Sequence, residues 1–386
     1  MSLKKITVLS PSFALTSIVA VSSALAKIAQ AFPEVSVASV QMLTALPSLI
    51  AIAVILFSGY LSSWITKKRI VAISMGFMLL GGLLPVFLHR QFRHLVLASV
   101  LFGLGYGGIS PLTTALIHDH YSPEEQPAML GLQSAVIGIG GVLFSFLGGK
   151  LAAVRWWYAY YSYLLFIPVL ILVLLLPKGS TSPRPAGGHL GKIWNRRLLF
   201  YVAQSLLFGI FFFVFQTNIA LLVESRGLGS SVAAGSVLST QSAFGILSGI
   251  LGGKILGRLK RFALPTIFLV SGSAFLVIYL AGGLGLIYLA AACLGFFFSL
   301  RMPAGYLKAT ASTAPEYATL AITVYCSSSQ VGQFLSPVCI NRICGAFGLA
   351  LDEKFLLSSV FLILIGVISL FWERNQAPRR EKAGSR

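Results

Sequence analysis

The chain has 386 residues, 56% of them hydrophobic and 10% charged, with a formal net charge of +19. An average soluble protein is about 25% charged, and a soluble globule of this size has no interior for so much apolar surface. The same figures exclude a disordered chain, whose hallmark is low hydrophobicity, and the basic residues sit in short clusters between long apolar runs, a pattern of membrane topology rather than of nucleic-acid binding.

What remains is an all-α integral membrane protein. A span needs about 20 apolar residues, and twelve apolar segments follow along the chain, at 6–30, 37–61, 70–88, 95–117, 128–149, 157–176, 198–223, 231–253, 262–281, 285–307, 318–340 and 355–372. Each must satisfy its own backbone hydrogen bonds in lipid, so each is read as a helix. None shows the alternation of a membrane barrel strand. The first segment follows Lys4 and Lys5 and passes Ala24-Leu25-Ala26, which also mimics a signal peptide. Reading it as a span keeps the number of crossings even.

Lysine and arginine set the orientation. With both termini on one side, that side carries 20 basic residues and the other 8, with Arg301 set aside. The basic-rich side is expected to be cytoplasmic, which makes this a multi-pass protein of the cell membrane with both termini cytoplasmic. The longest loop, 177–197, is rich in Pro, Gly, Ser and basic residues and lies near the middle of the chain. It reads as a linker between a six-helix bundle at 1–176 and another at 198–373, with a basic tail at 374–386.

The two halves repeat. Pro111 and Pro303 are 192 residues apart, as are Ser122-Pro123-Glu124 and Ala314-Pro315-Glu316, Gly103 and Gly295, and Gly140 and Gly332. Gly59 and Gly253, each ending a second span, are 194 apart. Two six-helix pseudo-repeats in parallel imply an axis along the membrane normal and a binding site between the halves.

These residues resemble the major facilitator superfamily over nearly the whole chain. After its second span the family carries Gly-x-Leu-x-Asp-Arg-x-Gly-Arg-Arg, and here the segment reads Gly59-Tyr60-Leu61-Ser62-Ser63-Trp64-Ile65-Thr66-Lys67-Lys68-Arg69. Ser63 stands in place of the aspartate and Trp64 in place of the arginine. A similar remnant runs from Gly253 to Arg261 and includes Arg258. Val154-Arg155-Trp156-Trp157 and Leu222–Gly229 resemble two further family signatures. The layout is nearest to the drug/proton antiporter branch, although Ser99 and Ser145 replace that branch's arginine and proline.

The resemblance implies a cytoplasmic gate or loop motif at Gly59, Leu61, Ser63, Lys67, Lys68, Arg69, Asp119 and Arg258. With Ser63 uncharged and Gln126 where an arginine is expected, the family's charge pair is expected to be lost. Asp119 is its nearest acidic remnant.

None of the ten acidic residues falls in the middle of a span, which removes the usual mid-membrane proton carrier. His118, Asp119 and His120 form a candidate proton site at the cytoplasmic rim. Arg301 is the outlier, lying roughly 6 Å past the centre of the tenth span at 1.5 Å per residue. A mid-membrane arginine costs about 2.5–3.5 kcal/mol on insertion scales. It either faces the cavity and binds an anionic group or snorkels to the interface beside Pro303. Gln204, Gln216, Asn218, Gln241 and Gln333 are further substrate candidates; helix-to-helix hydrogen bonding is the commoner role of such residues. Phe211–Phe213, Phe215 and Phe296–Phe298 form either an aromatic wall or packing. Gly138, Gly140, Gly141, Gly148 and Gly149 make the fifth span thin enough for close helix contact.

Cys293, Cys326, Cys339 and Cys344 include no CxxC pair and no nearby histidine. No nucleophile–base set, metal spacing or phosphate loop is present, so no cofactor, metal or enzyme activity is expected. The sequence reads as a secondary active or facilitative transporter working by alternating access, exporting or exchanging a small organic solute, with an organic anion as the candidate that Arg301 suggests. A proton-coupled multidrug efflux antiporter is the second reading, and a non-transporting scaffold or receptor the reading from another class. The partners expected are a small-molecule substrate, the bilayer and either a proton or a counter-substrate, with the chain acting as a monomer.

Overall fold

The computed structural model describes residues 3–61, 64–122, 124–176, 194–314 and 317–375, without the side chains at 56–61, 118, 127, 318 and 319. The first segment is α1 (Leu3–Leu9) and α2 (Val19–Ala31), joined through a 3-10 turn at Ser10–Ala14. Pro11 has no N–H to give an α-helical ladder. Ser10 Oγ donates at 3.0 Å to the Thr7 carbonyl that a residue-11 N–H would have met, and side chains tie the segment to the neighbouring α6 (Gln126–Val154): Gln133 Nε2 donates to Ser12 Oγ at 3.1 Å, and Thr16 Oγ1 donates to Ile137 O at 2.8 Å. Between these elements run α3 (Val37–Leu61), α4 (Lys67–Phe87) and α5 (Phe92–His120). A 3-10 helix at Trp156–Leu165 leads into α7 (Phe166–Leu174).

The second half contains α8 (Arg196–Ser225), α9 (Ser231–Leu259), α10 (Ala263–Leu280), α11 (Leu284–Ala311), α12 (Ala318–Phe347) and α13 (Glu353–Asn375). Among the described residues, ten stretches are long and apolar enough to cross a membrane. One of them, Ser231–Leu280, contains both α9 and α10, and α12 lies outside the ten because Ser327–Ser329, Gln330, Gln333, Asn341 and Arg342 dilute it. Helices also overrun their apolar runs. The α12 helix continues past residue 340 to Phe347 and stops at Gly348, whose φ of +64 suits a residue without a Cβ.

Residues 177–193 of the expected linker lie outside the described residues. Its last two, Arg196 and Arg197, already belong to α8, which Asn195 caps by accepting from Arg197 N and Leu198 N at 3.0 and 2.9 Å. Of the expected tail, Arg374 and Asn375 close α13, and 376–386 lie outside the described residues.

Apolar residues gather into two large cores, one running from Val8 to Leu176 and one from Leu198 to Ile365. The repeat is visible in how glycines pack. A Cβ on Gly103 would meet Pro47 and Ile50 of α3 at 2.9 and 2.8 Å, and one on Gly295 would collide with the Gln241 carbonyl of α9. The 192-residue partners therefore press on corresponding helices of the two halves.

The halves meet along α6 and α9, which cross through small residues. Gly149 lies on Gly235, Ser145 on Ser239, Gly141 on Ser242, Gly138 on Ile246 and Ser134 on Gly249. Residue numbers rise on one helix as they fall on the other, so the helices run antiparallel. Lipid tails offer no hydrophobic drive between helices, and small side chains let backbones approach instead. Gly140 and Gly148, on another face of α6, press on Phe13 and Ala20 of the first segment. The glycine-rich helix is thus thin on two sides.

Candidate functional site

Arg301 is fully buried, at 0% exposure, so it does not snorkel. Pro303, two residues on, lacks the N–H that would bond the Ser299 carbonyl, but the guanidinium turns inward, between α8 and α12. Its Nη2 donates to Ser329 Oγ at 2.9 Å, and Nη1 donates to Ser205 Oγ at 3.2 Å and Tyr325 OH at 3.4 Å. The guanidinium carbon stands 4.6 Å from the Phe208 ring centre, 5.8 Å from Tyr325 and 5.9 Å from Phe298. Phe212 stacks on Phe298 at 4.7 Å and on Phe208 at 4.8 Å, which fixes these faces. Aromatic faces attract a desolvated cation by about 2 kcal/mol, but they do not neutralise it. Among the described residues no carboxylate lies within ion-pair distance of Arg301, and its Nε has no hydrogen-bond partner.

Gln204, next to Ser205 on α8, is 4% exposed, and neither of its amide atoms has a partner among the described residues. Gln241 is also buried, with its backbone carbonyl against Gly295. Gln216 is half-buried. Two other substrate candidates instead join the halves. Ser48 Oγ donates to Gln333 Oε1 at 3.1 Å, and Gln41 Nε2 donates to Asn218 Oδ1 at 2.7 Å. Asn218 lies thirteen positions from Ser205 on α8, about 20 Å along the axis. Ser205, Tyr325 and Ser329 carry no signal in the sequence, because small hydroxyl residues and a tyrosine in an apolar run read as packing.

At the end away from the termini, the halves are tied by a polar relay. Asn341 Nδ2 donates to Gln41 Oε1 at 2.7 Å, and Lys354 Nζ donates to Asn341 Oδ1 at 2.5 Å. Glu224 accepts from Gln30 Nε2 at 2.8 Å and pairs with Lys27 at 3.0 Å. A cavity of about 390 Å³ lies beside it, lined by Ala26, Ala29, Gln30, Leu221, Glu224, Ser225 and Leu351. At the termini end the seam parts. Beyond Ser134 and Gly249, a Cβ on Gly253 or Gly257 meets nothing within 4 Å among the described residues, and Ile250 is 72% exposed. The molecule is closed at the far end and splayed at the termini end.

At the termini end a charge pair stands at positions other than those of the family's motif. Lys67 Nζ donates to both carboxylate oxygens of Asp119 at 2.7 Å. Lys67 opens α4 and Asp119 closes α5, so each charge sits at the disfavoured pole of its helix dipole and the pair offsets both. Lys68 Nζ donates to Leu176 O at 2.5 Å, and Lys4 Nζ to His120 O at 2.8 Å, each satisfying a carbonyl at a segment's end. Arg69 and Arg258 are exposed. Gly59 and Leu61 fall in the last turn of α3, with no side-chain description, as is the case for His118; Ser63 lies outside the described residues. Lys67→Ala or Asp119→Ala is expected to cost about 1.5–3 kcal/mol, the scale of a hydrogen bond to a charged group. The swap, Lys67→Asp with Asp119→Lys, puts each charge at its favoured pole and is expected to restore most of the loss. The melting temperatures of the purified variants decide it: a swap no better than the singles rules the pair out as the cause.

The sequence model of the Major Facilitator Superfamily matches residues 7–337. A stretch of 104 residues is 28% identical to "Multidrug resistance protein 3" of Bacillus subtilis (strain 168), covering 27% of this chain and 20% of that protein. The chain therefore aligns with about a fifth of that relative's length. The crystal structure of an auto-inhibited POT family peptide transporter is similar with a TM-score of 0.77 at 13% identity, covering 97% of both chains. A bacterial homolog to the human lysosomal transporter Spinster, in an inward-facing and unoccupied conformation, is similar with a TM-score of 0.72 at 16% identity, covering 97% of this chain and 98% of that one. Both are likenesses of fold.

Proposed function

Because the chain belongs to the major facilitator superfamily, we propose that this transporter exchanges or exports a small organic anion by alternating access. The observation that carries the anionic class is Arg301, a fully buried guanidinium with no carboxylate partner among the described residues. A buried cation without a counter-ion is costly. A substrate carboxylate, sulfonate or phosphate supplies the missing charge through paired N–H donors. Ser205, Ser329 and Tyr325 hold the guanidinium between turnovers, and Gln204 offers an unengaged amide one residue from Ser205.

The asymmetric seam supports alternating access. The far end is closed by the polar relay and by Gly149 against Gly235, while the termini end is splayed. Closing the termini-end seam around substrate and breaking the far-end one exposes the site to the other side. A proton-coupled efflux antiporter for hydrophobic compounds is the second reading, favoured by the stretch shared with Multidrug resistance protein 3. Against it, Asp119, Glu224, Asp352 and Glu373 are all committed to cationic partners.

Purified protein in proteoliposomes tests the choice. An anion exchanger is expected to take up labelled anion only when counter-anion is trapped inside, whatever the pH difference. Uptake of cationic or neutral compounds driven by a pH gradient alone rejects the anion reading in favour of the second.

A further inference from the structure

The two arginines that open α8 sit where electrostatics disfavours them. Arg196 and Arg197 are its first residues, at the positive pole of a 30-residue helix. Both are exposed, and no carboxylate among the described residues lies within ion-pair distance of either. The acidic residue at this end of α13, Glu373, is already engaged by Lys308 Nζ at 2.6 Å and Tyr201 OH at 2.8 Å.

A cavity of about 380 Å³ opens beside them, lined by Arg196, Arg197, Trp372 and Asn375. Its aromatic wall is fixed, because Trp372 stacks on Phe200 with ring centres 4.1 Å apart. The Arg196 guanidinium carbon stands 5.5 Å from the Trp372 ring centre. Among the described residues the neighbouring surface is apolar and exposed. Leu199, three positions after Arg196 and so on its face of α8, is 56% exposed. On α13, Leu364, Ile368 and Phe371 recur at helical spacing with 49%, 49% and 58% exposure. Tryptophan and arginine at the end of an apolar helix mark the bilayer interface.

We propose that this pocket binds the headgroup of an anionic phospholipid. The phosphate lies between the two guanidiniums, which suit its planar, paired recognition, and the acyl chains run along Leu199 and the Leu364–Phe371 stripe. A soluble phosphate ester can meet the same arginines but gains nothing from the stripe, which is why the lipid is favoured. Each basic residue near an anionic lipid surface contributes about fivefold in binding, so the pair contributes about thirtyfold.

The full-length protein in mild detergent is titrated with phosphatidylglycerol and with phosphatidylcholine of the same chains, and lipid retention is read by native mass spectrometry. Wild type is expected to prefer phosphatidylglycerol, Arg196→Gln and Arg197→Gln to lose about fivefold each, and the double variant about thirtyfold, with phosphatidylcholine unaffected. Arg→Lys at both positions keeps the charge but not the paired fork and is expected to keep an intermediate preference, between wild type and the double Gln variant. Glycerol phosphate at equal concentration is expected not to compete. The proposal is overturned if the Gln variants retain phosphatidylglycerol as wild type does, or if glycerol phosphate displaces it, which would assign the arginines to a soluble phosphate. Because no substrate is present, this result is independent of the anion-exchange reading.

Discussion

Arg301→Ala is expected to lower anion uptake about a hundredfold or more in proteoliposomes while leaving the protein folded. A paired contact from guanidinium to anion at about 1.5 kcal/mol per bond makes about 3 kcal/mol, or roughly a hundredfold in affinity. The fold is expected to survive, because removing Arg301 also removes the cost of a buried cation without a counter-ion. Ser205, Ser329 and Tyr325 keep one another as neighbours, and water can enter the space. Arg301→Lys keeps the charge but not the planar fork, so intermediate uptake with a raised KM is expected. Arg301→Gln keeps donors without charge and is expected to resemble alanine. Wild-type uptake by the alanine variant would leave the arginine a packing element of the C-terminal half, held by Phe208 and Tyr325.

The sequence carried the helices and the repeat because both rest on patterns that survive in one dimension. Apolar runs have the length lipid demands, and Pro111 with Pro303 and Gly103 with Gly295 hold a fixed offset. Arg301 was visible as a charge in an apolar run, yet its direction was not. Whether it snorkels or turns inward depends on which residues of α8 and α12 face it, and hydroxyls such as Ser205 and Ser329 have no distinctive spacing.

The contacts between distant elements were the least legible. The sequence near Ser63 and Gln126 shows two charges missing from a motif, but charge balance depends on three-dimensional neighbours. Lys67 and Asp119, 52 positions apart, restore a pair at another place. The far-end relay was equally hidden. Gln41, Asn341 and Lys354 lie near helix ends, where a polar residue ordinarily meets water, and Asn218 alone stood out as a candidate. The thinness of α6 could be read from its glycines. That one face takes α9 and another the first segment follows only from packing.

That seam carries a second large effect. A Cβ on Gly149 would collide with the Ser231 carbonyl and come within 3.0 Å of the Gly235 Cα, and a Cβ on Gly235 would come within 3.0 Å of the Gly149 Cα. These neighbours are backbone atoms, so no side chain can swing away. Overpacking of this kind costs about 1–3 kcal/mol, and the cost falls only on the state in which the far end is closed. Gly149→Ala is therefore expected to shift the molecule towards far-end opening by about tenfold per 1.4 kcal/mol, and Gly149→Val further.

An engineered Ala26→Cys, in a background with the four native cysteines replaced, reports the change, because Ala26 lines the far-end cavity and is 4% exposed while that end is closed. Its reaction with an impermeant maleimide is expected to accelerate about tenfold in the Gly149 variants, with transport slowed. Gly253→Ala is the control, since its Cβ meets nothing within 4 Å among the described residues, and there alanine's helix propensity is expected to add about 0.5–1 kcal/mol of stability. Equal labelling in Gly149→Ala and Gly253→Ala would mean that the seam does not decide which end is open, and that the polar relay through Gln41 holds the far end by itself.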